Sequence, residues 1–178
     1  MIESINRIDD WVVKIESFLL VFAVGLMTIM AFGEVMSKLI ADYPIQWMEM
    51  SVRYLVLWVA FIGGSVATAS GRHITIDIAA RYLKPRGRAF AVAITSAVAV
   101  GILMVLFFVS ITYLQMKATN NSIAFTIRSL GIVLPVKSYI ALIVVPPSLL
   151  LMAWHFLVIT IQAIYDPDSL PTEQEEIL

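Results

Sequence analysis

Four stretches of this chain, Ser17–Gly33, Tyr54–Gly71, Ala89–Met116 and Ser138–Tyr165, contain no Asp, Glu, Lys or Arg over 17, 18, 28 and 28 residues. A helix rises about 1.5 Å per residue, and about 20 apolar residues cross the roughly 30 Å hydrocarbon core of a bilayer. The third and fourth stretches meet that length outright. The first reaches it by running past Glu34 toward Leu39, and the second by starting near Trp47 with Glu49 and Arg53 at its wet end. A soluble four-helix bundle would need charged residues along the outer face of each helix, whereas these segments are apolar nearly all the way round. The spacing predicts an all-α membrane protein with transmembrane helices over about 17–39, 47–70, 88–115 and 137–164.

Composition agrees. Of 178 residues, 60% are hydrophobic and 14% are charged, against about 25% charged in an ordinary soluble domain. A formal net charge of −1 supplies no basic field for nucleic acid. The absence of cysteine removes disulfides, thiolate metal sites and thiol nucleophiles. No repeat is visible. The N-terminus lacks the basic start and small-residue cleavage pattern of a signal peptide, so the first helix is expected to remain in place. On the side of the N-terminus and middle loop lie seven basic residues, five of them Arg72, Arg81, Lys84, Arg86 and Arg88, against five on the other side. The positive-inside rule then places both termini in the cytoplasm. Residues 165–178 form an acidic tail.

Residues 1–16 read as an amphipathic interfacial helix. Ile2, Ile5, Ile8, Trp11, Val12 and Ile15 share one arc at about 100° per residue, and Glu3, Asn6, Arg7, Asp10 and Lys14 another. Two basic against four acidic residues suit anionic lipid poorly, so docking on a partner competes with simple anchoring.

In the second helix, Glu49 and Arg53 stand four apart on one face, with Trp47, Tyr54 and Trp58 nearby as interface aromatics. They form either a boundary ion pair or a contact to a neighbouring helix or subunit, with Glu34 a candidate third member. Small residues recur at four-residue spacing as Ala60, Gly64, Thr68 and as Gly63, Ala67, Gly71. That pattern lets helix backbones approach closely in lipid, which points to Gly63, Gly64, Ala67 and Gly71 as a packing face within this chain or against another.

His73, Asp77 and Arg81 also follow at four-residue spacing and would share a polar network at the cytoplasmic end. One His and one Asp fall short of a zinc site, and neither a metal nor any other cofactor is expected. The one other histidine, His155, lies about 26 Å along the fourth helix, at a depth that would let it join His73 as an axial haem ligand in a small electron carrier. Pro146-Pro147 should kink that helix. No charged residue is expected at the midplane, where ion-coupled carriers usually place one. The chain therefore reads as a scaffold and not an enzyme.

The run Glu49, Arg53-Tyr54-Leu55, Trp58, Phe61, Gly63, Ala67, Ala69, Gly71, His73-Ile74, Asp77, with Leu134-Pro135, Tyr139 and Pro146 further on, resembles the small membrane subunit (DctQ-type) of tripartite ATP-independent periplasmic (TRAP) transporters. Lys137-Ser138 is more polar than the family pattern at that place. The resemblance implies a non-catalytic inner-membrane subunit of a sodium-coupled organic-acid importer. Its implied partners are a large elevator-type membrane subunit, a periplasmic substrate-binding protein and membrane lipid. The competing readings are the haem carrier and a self-sufficient homodimeric carrier.

Overall fold

The computed structural model describes residues 2–42, 45–69, 85–129 and 132–165. It comprises α1 (Ile2–Ala41), α2 (Gln46–Ala69), α3 (Pro85–Thr119), a hairpin of β1 (Ile123–Ser129) and β2 (Ile132–Lys137), and then α4 (Ser138–Leu142) and α5 (Val145–Tyr165). Four spans, Arg7–Ile40, Gln46–Ala69, Phe90–Thr119 and Ser138–Ile161, are long and apolar enough to cross a membrane. The fold is thus a mostly helical membrane bundle with a small β-hairpin, which the charge pattern did not signal, between the last two spans.

At its N-terminal end, α1 is one uninterrupted helix of 40 residues, so residues 2–16 and the first span form a single rod about 60 Å long. No Gly or Pro lies between Ile2 and Gly25 to interrupt it. Ile8, Trp11, Ile15, Phe18 and Phe22 are exposed on its outer side, while Glu16 and Ala23 are buried. Polarity is inverted relative to a soluble bundle, with apolar side chains covering the outside, as a hydrocarbon solvent requires.

α1 packs along α2, α3 along α5, and α2 against α5. The close approach occurs where the small residues stand. A Cβ built on Gly64 would come within 2.7 Å of Met152 Cε on α5, and one on Gly63 would meet Leu20 of α1 at 3.6 Å. The buried stripe of α2 is nonetheless Ile62, Ser65 and Thr68, and Ala67 is exposed on the surface of this chain. Of the small-residue face, Gly63 and Gly64 mark helix contacts inside the chain, Ala67 does not, and Gly71 lies outside the described residues.

α3 ends in a reversal built by Asn121, whose φ of 53° is a left-handed conformation that Asn tolerates better than most residues. Ser122 N donates to Lys117 O at 3.2 Å and Asn121 N to Ala118 O at 3.1 Å, the paired bonds of a Schellman cap. Lys137 Nζ then donates to Asn121 Oδ1 at 2.5 Å, which ties the end of the hairpin to its beginning. The strands run antiparallel, with Ile127 opposite Leu134 and Thr126 opposite Pro135. The Phe125 ring lies 6.0 Å from that of Tyr54 and fastens the hairpin to α2.

The last span is broken between α4 and α5 at residues 143–144. Pro146 and Pro147 have no N–H to give to the carbonyls one turn back, so the expected kink becomes a break. Trp58 Nε1 donates to Ala141 O at 2.7 Å across from α2, which satisfies a carbonyl at the break and pins the two helices together. Overpacking a core site costs about 1–3 kcal/mol. Gly64→Leu should therefore lower the thermal midpoint of the purified protein by several degrees, whereas Gly101→Leu, where a Cβ meets nothing within 4 Å, should leave it unchanged. Equal midpoints for the two variants would remove the close-contact assignment.

Candidate functional site

Of the side chains singled out in the sequence, Glu34 lies on α1 and Trp47, Glu49 and Arg53 lie on α2. Gly33 of α1 lies against Met48 of α2, its built Cβ 3.6 Å from the Met48 sulfur. Glu34 and Glu49 therefore stand at the same end. Glu34 does not join Glu49 and Arg53. It accepts from Lys38 Nζ at 2.6 Å, one turn along its own helix. Arg53 donates to Glu49 Oε1 at 2.5 Å, and these side chains are 66% and 41% exposed. The local pair is thus present, and it is largely exposed. An exposed pair of this kind contributes about 0–1 kcal/mol. Trp47 is half-buried and its carbonyl accepts from Ser51 Oγ. Trp58 acts through its indole on Ala141, as described above. The proposed polar network of His73, Asp77 and Arg81 lies outside the described residues.

The most polar buried site is elsewhere, and the sequence reading did not assemble it. His155 is fully buried at the centre of α5. Its Nδ1 lies 2.8 Å from Asp9 Oδ1 and its Nε2 3.1 Å from Glu16 Oε2. Trp154 Nε1 donates to the same Asp9 Oδ1 at 3.1 Å. Asp9 and Glu16 are seven residues apart on α1, two turns that return to one face, so a single imidazole is clasped by two carboxylates from one helix. Glu16 is 4% exposed, and the Asp9 side chain is 16% exposed.

Two points of the sequence reading change here. Ionisable groups are not confined to the ends of the spans: Glu16 and His155 both sit within the spanning segments, packed between α1 and α5. His155 is not free to ligate haem, since each ring nitrogen is already engaged by a carboxylate. The signal that could have found the site is positional. At 100° per residue Asp9 and Glu16 fall inside the apolar arc of α1, beside Ile2, Ile5 and Val12, where an unpartnered carboxylate is expensive. No cluster of three or more ligating side chains arranged for a metal ion occurs among the described residues.

A bundle of four apolar spans with a sealed ionic clasp defines a multi-pass integral membrane protein. Comparison with known proteins narrows the class. The family model described as "Tripartite ATP-independent periplasmic transporters, DctQ component" matches residues 27–165, and the chain belongs to that family of TRAP transporter small permease subunits. It is also similar to the "C4-dicarboxylate TRAP transporter small permease protein DctQ" of Vibrio cholerae serotype O1, at 26% identity over 73 residues. That match covers 41% of this chain and spans about a third of the relative, 32% of its length.

Removing one partner from a buried charged pair costs about 3–5 kcal/mol. Glu16→Ala should accordingly destabilise the purified protein strongly in a thermal unfolding assay, while Arg53→Ala shifts the midpoint little. A reversed order of the two variants would show that the clasp is not the stronger of the two ionic contacts.

Proposed function

We propose that this chain is a non-catalytic scaffold in a sodium-coupled, binding-protein-dependent importer of organic acids, holding a large elevator-type subunit in the inner membrane. Family membership carries the reading. The construction of the bundle supports it, because an elevator needs a part that stays still in the bilayer while another moves. Here the helices close on one another at Gly63 and Gly64, and the buried ionisable groups are occupied with each other. The excess of basic residues in the N-terminal segment and middle loop favours cytoplasmic termini. The hairpin would then face the periplasm, on the side from which a substrate-binding protein delivers its cargo. The C4-dicarboxylate named for the Vibrio cholerae relative makes a small dicarboxylate the first substrate to try.

Two experiments test this. A tagged copy expressed in its own cell should copurify with a much larger membrane protein, and the purified chain alone in proteoliposomes should take up no organic acid with or without a sodium gradient. Sodium-dependent accumulation by this chain alone would overturn the scaffold reading.

A further inference from the structure

We propose that Asp9, Glu16 and His155 form a buried proton-binding site, in which the imidazole is held at neutral pH as the doubly protonated imidazolium between two carboxylates. The argument is a count of donors and acceptors. A neutral imidazole has one N–H and one bare nitrogen, whereas an ionised carboxylate only accepts. Both ring nitrogens face carboxylate oxygens at hydrogen-bond distance, 2.8 and 3.1 Å. With a neutral ring, one carboxylate would confront a nitrogen lone pair with nothing between them, in a site where the ring is fully buried and Glu16 nearly so. One further proton resolves the conflict. Asp9 Oδ1 already accepts from Trp154 Nε1 as well as from the ring, which marks it as an acceptor, so the further proton belongs to the contact between Nε2 and Glu16, and imidazole, the stronger base of those two groups, takes it.

The neighbouring elements leave this assignment intact. Asp9 and Glu16 face the ring from α1, and Trp154 adds its indole from α5 itself. α2 and α3 pack on α5, and their stretches 54–69 and 89–116 carry no charged or histidine side chain. The trio then carries one net negative charge where two carboxylates beside a neutral ring would carry two. Burying fewer uncompensated charges is the favoured outcome in a low-dielectric interior. The site thus holds its proton as part of the contact between α1 and α5, independently of what the transporter carries.

The chain has two histidines, so in a His73→Asn variant of the whole chain His155 alone reports. With the imidazole nitrogens labelled with nitrogen-15 and the protein in lipid nanodiscs, the NMR spectrum at neutral pH should show both ring nitrogens protonated. Introducing Asp9→Asn and Glu16→Gln together removes both anions, keeps the side-chain sizes, and should convert the spectrum to one protonated and one bare nitrogen. A bare ring nitrogen in the His73→Asn protein with both carboxylates intact would overturn the proposal. So would retention of both protons after the two carboxylates are replaced. The first spectrum decides the matter even if the triple variant does not fold.

Discussion

Hydrocarbon offers no hydrogen-bond partner, and the structure of this protein follows from where its polar groups find one instead. Hydroxyls along the helices turn back on their own backbone: Thr28, Thr68, Thr95, Thr112 and Thr160 each donate to the carbonyl four residues earlier. His155, Asp9 and Glu16 are instead matched across helices. Phe18, Val21, Phe22 and Phe108 meanwhile remain on the outside, where a lipid solvent makes their exposure cost little.

The same demand explains the break in the last span. Two successive prolines remove two donors, and the span divides into α4 and α5 with the Trp58 indole reaching across to Ala141 O. A tryptophan that reads in sequence as an interface aromatic is in the fold a hydrogen-bond donor to the backbone of another helix. Its position one and a half turns before Gly63 and Gly64 means that α2 meets the last span twice, by its indole on α4 and by Gly64 against the Met152 side chain of α5. α2 is in this way the element that joins α1 to the pair of α3 and α5.

These joints are spread along the bundle. Gly63, Gly64, Trp58 and the Asp9–Glu16–His155 clasp connect α1, α2, α4 and α5 at several heights. The ionic clasp acts on the part of α1 that extends beyond its charge-free stretch, and so fixes the direction of a rod about 60 Å long. The hairpin is held at its base, by Lys137 on Asn121 and by Phe125 against Tyr54. It is therefore presented as a shaped surface.

Sequence alone determined the membrane class, the four spans and the family resemblance, because charge-free length is a one-dimensional property that a bilayer reads directly. It also marked Gly63 and Gly64, since small residues at a helical repeat reflect a local requirement for close approach. It could not separate Gly64 from Ala67, because which edge of a small-residue face meets a neighbour depends on how the helix is rotated in the bundle. It placed Glu34 with Glu49 and Arg53 because all three lie at one end, whereas the nearer Lys38 takes Glu34. Above all, His155 read as an isolated histidine and Glu16 as the last charge before a span. Their pairing joins residues 139 apart in the chain, and only the packing of α1 on α5 brings them within hydrogen-bond distance.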